Sequence, residues 1–143
     1  MEKMPRTGGC FVCGLPEENS RSLGVSILWD GEKENTVIKI NPDPTWCGYE
    51  GIVHGGIIAS IFDDAMAWAV RQTIGGWAVT GEMSVRYLRP VKEGEEYTVK
   101  GRVSKQSGRR ITTAASMTGA NGKKVAEATA LFIRMPAGKG EMG

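Results

Sequence analysis

The segment that most constrains this chain begins at His54 and ends at Gly76. One glycine pair, Gly55-Gly56, opens it, and a second, Gly75-Gly76, closes it. Between them Ile58, Ile61, Phe62, Ala65, Met66, Trp68, Ala69 and Val70 fall on almost every side of a helical wheel. The length and the Ala/Met content predict a helix over 57–72 rather than a strand. A surface helix shows one apolar stripe, whereas a helix apolar nearly all round has to be enclosed. The rest of the chain must supply the enclosure.

The flanking sequence reads as strands. Leu23, Val25, Ile27 and Trp29 alternate with smaller or polar residues up to Asp30-Gly31, and 36–40 form a second short run closed by Asn41-Pro42-Asp43-Pro44. After the helix, alternating runs cover 77–88, 95–105, 109–118 and 123–135, with Met83, Val85 and Tyr87 on one face of the first. The linkers Lys92-Glu93-Gly94, Gln106-Ser107-Gly108 and Ala120-Asn121-Gly122 are short. They predict antiparallel neighbours in chain order. The expected fold is α+β, one long helix wrapped by a curved antiparallel sheet of five to six strands. Residues 1–22 read as an N-terminal segment, 23–135 as a single domain and 136–143 as a flexible tail.

Composition narrows the class. The chain has 143 residues, 41% apolar and 24% charged, which is a globular and not a disordered balance. No run approaches the ~20 apolar residues of a membrane span. The first nine residues lack the apolar centre of a secretion signal, so a cytoplasmic location is expected. A net charge of +2, from 18 basic and 16 acidic side chains, leaves no nucleic-acid footprint. The three cysteines, Cys10, Cys13 and Cys47, are an odd number and point to a reducing compartment. Cys10-x-x-Cys13 has zinc-ligand spacing, with Cys47 or His54 available to complete a set. A CxxC without a second pair is weak evidence, and the expectation is no metal.

Two carboxylates, Asp63 and Asp64, sit inside the apolar helix. Aspartate is almost never fully buried unless paired, so one of them should face a cleft or a partner. Gly56, Ala59, Ser60, Met66 and Ala67 share the face of Asp63, and four of these are small enough to admit a ligand chain or a second backbone. The face of Asp64 carries the larger Ile57, Ile61 and Trp68, which makes Asp63 the better candidate. The bland alternative has both aspartates pairing with Arg86 or Arg89. His54 stands at the mouth of the helix, where unpaired N–H groups and the positive dipole end suit a developing negative charge. Its bland alternative is to tie down the preceding loop. His54 and Asp63 are nine residues apart, about 13 Å of helical rise and on opposite sides. If both serve one reacting group, they come from two subunits, and at least a dimer is required.

The run from Gly51 through His54-Gly55-Gly56 to Asp63-Asp64-Ala65-Met66 resembles the hotdog-fold thioesterases of the phenylacetic-acid-degradation type. Their signature is His-Gly-Gly with an acidic residue nine positions after the histidine. Thr80-Gly81-Glu82-Met83-Ser84-Val85-Arg86-Tyr87-Leu88-Arg89-Pro90-Val91 with Gly94 is similar to that family's central strand and turn. Cys10-Phe11-Val12-Cys13-Gly14 with Leu23-Gly24 is similar to the opening of some bacterial members.

The resemblance implies a hotdog fold assembled as a homodimer and often a homotetramer, hydrolysing acyl-CoA thioesters with no cofactor and no metal. It makes Asp63 the nucleophile or general base, Gly55 N–H the group that polarises the carbonyl with His54 beside it, and Thr80 a hydroxyl that positions water or the carboxylate. Gly56 and Ser60 line the substrate path. Arg86, Arg89, Lys105, Arg109 and Arg110 are the cations available for the CoA phosphates. One departure is Gly48, six residues before the histidine, where family members commonly carry an asparagine; Glu50 or a backbone group is then the substitute. The alternatives are a non-catalytic acyl-CoA-binding protein and a hotdog dehydratase or hydratase.

Overall fold

The computed structural model describes residues 1–6 and 8–136. In chain order the elements are β1 (Glu2–Lys3), β2 (Leu28–Asp30), β3 (Asn35–Ile40), β4 (Cys47–Tyr49), β5 (Ile52–Val53), α1 (Gly55–Ile74), β6 (Ala78–Tyr87), β7 (Tyr97–Ser107), β8 (Arg110–Gly119) and β9 (Lys124–Arg134). Seven strands form one antiparallel sheet in the order β1-β2-β3-β7-β8-β9-β6, and β4 and β5 make a small ribbon apart from it. The count exceeds the expected five to six because the chain's first residues add a two-residue strand. Among the described residues no helix is long and apolar enough to cross a membrane.

The helix outruns the predicted 57–72 at both ends. It starts at Gly55 because His54 caps it, and it stops at Gly75, whose φ of 80° lies in the left-handed region that glycine alone enters without cost. Ile61, Phe62, Ala65, Met66 and Ala69 are wholly buried against the sheet. The closest approach is at Gly101 on β7, where a Cβ would sit 2.8 Å from the Ala65 carbonyl oxygen. Only glycine allows that contact. Thr36 fastens the same spot, its hydroxyl donating to Ala65 O at 2.8 Å.

Two expectations are corrected. Residues 23–27 are not a strand of the sheet, although Val25 and Ile27 are buried as their alternation implied. Their backbone partners lie in the N-terminal segment, through Leu23 N–H to Phe11 O (2.7 Å) and Val25 N–H to Val12 O (3.1 Å). That segment adds Met4, Val12 and Cys13 to the core around α1. Second, β6 does not neighbour β7 but closes the far end of the sheet against β9, while β3 takes the place beside β7. The connection over 88–96 has length enough to cross the end of the sheet. Its backbone is satisfied on the way, with Leu88 and Arg89 N–H on Val125 O, Glu93 N–H on Gly51 O and Gly94 N–H on Pro42 O. The tail expected over 136–143 lies outside the described residues from 137 onward.

Candidate active site

His54 takes the N-cap position with extended backbone (φ −61°, ψ 132°), and its Nδ1 accepts the Gly56 N–H at 2.8 Å. An acceptor Nδ1 carries no proton, so the ring holds its hydrogen on Nε2 and offers it as a donor. The ring is exposed and leans on Gly48, where a Cβ would lie 3.0 Å from Cδ2. A side chain in place of Gly48 would crowd the histidine, which gives the departure from the family pattern a steric meaning. Gly55 N–H, the first of the helix, has no hydrogen-bond acceptor among the described residues. The Gly55 carbonyl accepts the Tyr87 hydroxyl at 2.7 Å, and a Cβ on Gly55 would meet that ring at 3.3 Å. Tyr87, which alternation places only on a strand face, thus meets the helix mouth.

Asp63 lies two turns further along α1. Thr80 donates to its Oδ1 at 2.5 Å. What aims Thr80 is a β-bulge, since Thr80 pairs with Phe132 and Glu82 with Leu131, leaving Gly81 as the extra residue. Met83 and Val85 face the helix opposite Ala130 and Ala128, so strict alternation would turn Thr80 outward. The inserted Gly81 shifts the phase by one and turns Thr80 inward. Around Asp63, Gly56 is exposed and Ala59, Ser60 and Ala67 are half-buried, as expected of a small-residue face. Met66 is the exception, wholly buried against Thr113 in the core. The Ser60 hydroxyl donates back to Gly56 O at 2.9 Å.

Asp64 turns the other way, to the N-terminal loop, with Cys10 Sγ 3.9 Å from its Oδ1. Burial pushes its carboxyl up from 3.8 to about 6; the Cys13 thiol pulls it down, the charge of Asp63 adds to the rise, and the Cys10 thiol lowers it again. Neither aspartate pairs with an arginine. The ion pairs among the described residues are Arg86 and Lys124, each with Glu127.

The five cations singled out from sequence are not gathered at one place. Lys105, Arg109 and Arg110 are exposed around the β7–β8 turn, where Arg109 Nε donates to Arg134 O. Arg86 borders a groove of about 550 Å³ on the outer face of the sheet together with Lys100, Arg102 and Lys124, three cations the sequence reading passed over. Arg89 stands beside Gly55 and Tyr87 at a pocket of about 400 Å³ lined by Ile52, Val53, Ile58, Leu88 and Val91. Of the five, Arg89 is the one that shares a pocket with the helix mouth.

Residues 50–126 match the family model of the Thioesterase superfamily. The chain belongs to the thioesterase superfamily. Bovine acyl-coenzyme A thioesterase THEM4 is 26% identical over 110 residues, covering 76% of this chain and 45% of that protein. This superfamily member therefore spans about half the length of the THEM4 relatives that it matches. The PaaI protein of the Escherichia coli phenylacetic acid degradation operon shares its fold with a TM-score of 0.71, at 21% identity over 82% of this chain and 83% of that one. A Streptococcus pneumoniae thioesterase protein solved with coenzyme A does so with a TM-score of 0.66, at 24% identity over 71% of this chain and 78% of that one. The expected likeness to the hotdog thioesterases thus holds for family and fold.

Proposed function

We propose that this thioesterase-superfamily chain hydrolyses acyl-CoA thioesters, with Asp63 as the general base. The observation that carries the reading is the Thr80–Asp63 pair, a half-buried carboxylate with one oxygen held by a hydroxyl and the other left to work. Water loses a proton to Asp63 Oδ2 as its oxygen bonds to the thioester carbonyl carbon. The carbonyl oxygen gathers charge against Gly55 N–H and the Nε2–H of His54. When the carbonyl re-forms, the C–S bond breaks and the CoA thiolate leaves, taking up a proton from Asp63 or solvent.

His54 and Gly55 come from one subunit of a homodimer and Asp63 from the other. Two facts support this. Along α1 the separation from His54 to Asp63 is about 13 Å, too far for both to touch one carbonyl group. And β6, ten residues long, ends the sheet with an unpaired edge and Val79 half exposed, the kind of edge that pairs with a second copy. Thr80 and Tyr87 both lie on this strand.

The test is free-thiol release from a panel of aliphatic and aromatic acyl-CoAs by wild type and Asp63→Asn. Turnover confined to wild type supports the reading. Tight acyl-CoA binding with no turnover on any member overturns it in favour of a binding protein. Single turnover in ¹⁸O-water identifies an attacking Asp63 when water opens the anhydride at the Asp63 carbonyl, because the carboxylate then carries the label, which a general base never does.

A further inference from the structure

We propose that Cys10, Cys13 and Asp64 form a zinc site that clips the N-terminal loop to the helix beside Asp63. The two sulfurs and a carboxylate oxygen of Asp64 all lie within 4.8 Å of one another. Around a tetrahedral zinc, with sulfur at about 2.3 Å and carboxylate oxygen at about 2.0–2.2 Å, ligand atoms stand about 3.5–3.8 Å apart. The 3.9 Å between Cys10 Sγ and Asp64 Oδ1 needs a contraction of only a few tenths of an ångström.

The loop is built as a thiolate-holding turn. Cys13 N–H points at Cys10 Sγ at 3.5 Å, and Gly14 N–H closes the turn on Cys10 O at 2.9 Å. A Cβ at Gly14 would lie 2.8 Å from Cys10 N, so the turn requires that glycine. Its other polar groups are already used, Gly14 O by the Ser22 hydroxyl and Cys13 O by Arg6. On the helix side, Asp64 Oδ2 is buried with no N–H or O–H donor. A cation on the two sulfurs and this carboxylate would offset that burial. Arg6, whose guanidinium donates to Cys13 O at 2.9 Å, would bring a positive charge to the loop against the negative charge that three anionic ligands leave over.

Two thiolates with one carboxylate suit zinc over the harder calcium or magnesium. Binding expels the thiol protons and joins the N-terminal segment to α1, so the energy of metal binding becomes folding energy. Half-exposed Cys10 leaves the fourth position to a water molecule. This reverses the sequence expectation of no metal and replaces the residues considered to complete the set. Cys47 lies on the separate β4–β5 ribbon, and His54 is committed to the helix cap.

The proposal is independent of the thioesterase reading, because its test counts metal and not turnover. Untagged, reduced full-length protein is stripped with a chelator, given zinc, desalted and analysed for metal. Cobalt loading provides a spectrum. One zinc per chain is expected, with a thiolate-to-cobalt charge-transfer band that is lost in Cys10→Ser and in Cys13→Ser and weakened in Asp64→Asn. Zinc should also slow alkylation of Cys10 and Cys13 in wild type while leaving Cys47 unprotected, a readout that needs no variant to fold. No retained zinc, unprotected thiols, or equal binding by Cys10→Ser would each overturn the proposal.

Discussion

The Thr80 hydroxyl and the Asp63 carboxylate meet at 2.5 Å across the gap between β6 and α1. Removing either partner should separate chemistry from folding. Asp63→Asn is expected to lower kcat by about 10²–10⁴, the usual contribution of a positioned general base. Thr80→Val should cost about 10–100-fold, from a hydrogen bond to a charged group at about 1.5–3 kcal/mol. Urea unfolding should show each variant folded and less stable by no more than that one hydrogen bond, about 1.5–3 kcal/mol. An Asp63→Asn enzyme near full activity would sink the assignment.

The bulge gives a second test. Gly81→Ala meets Ile133 and Leu131 at 3.4 Å, an ordinary contact, and should fold and turn over almost normally. Deleting Gly81 restores strict alternation, so Thr80 turns outward. Turnover should then fall at least as far as in Thr80→Val. Activity retained in the deletion would show that Thr80 does not work through Asp63.

A shared site has an arithmetic signature. Equal amounts of His54→Ala and Asp63→Asn chains, once exchanged, give half mixed dimers, each with one intact site of two. About one quarter of wild-type activity should return, above the sum of the parent residuals, if the homodimer is the active unit. Flat activity after subunit exchange verified by native mass spectrometry would place the whole site in one chain.

Gly55 and Tyr87 should couple. Gly55→Ala puts a methyl 3.3 Å from the Tyr87 ring and should weaken both stability and the polarising N–H. Tyr87→Ala removes the obstacle, so the double variant should be more stable than the sum of the single losses predicts, with an interaction energy of about 0.5–3 kcal/mol. Strict additivity in thermal melts would mean that the two do not press on each other.

Arg89 is expected to act on the CoA portion alone. Arg89→Ala should raise KM for a CoA thioester by about 10-fold or more, the loss of one charged hydrogen bond, and leave a truncated N-acetylcysteamine thioester unaffected. Equal losses on both substrates would show that Arg89 serves the fold and not the phosphates.

The enclosed helix was legible because apolar residues on every side of residues 57–72 admit no other packing. The place of His54 at the helix mouth was legible from the glycine pair, but its cap on Gly56 was not, and the small residues of one face singled out Asp63 over Asp64. Pairing of β6 was not legible, because Lys92-Glu93-Gly94 looks like a hairpin turn until the nine-residue path over 88–96 is seen to cross the sheet end. Thr80 was named by resemblance only, since alternation from Met83 and Val85 assigns it to the wrong face and one glycine shifts the phase. The meeting of Cys10 with Asp64 joins residues 54 positions apart, and no local period carries such information. Gly55's tyrosine partner is 32 positions away and was hidden for the same reason.

The exposed edge of β6 has a consequence for how the protein would be controlled. Half of each proposed active site must be recruited by mass action, so dilution is a form of inhibition. Below the dissociation constant of the dimer, rate would rise with the square of chain concentration, and the amount of protein made would set whether each molecule works at all.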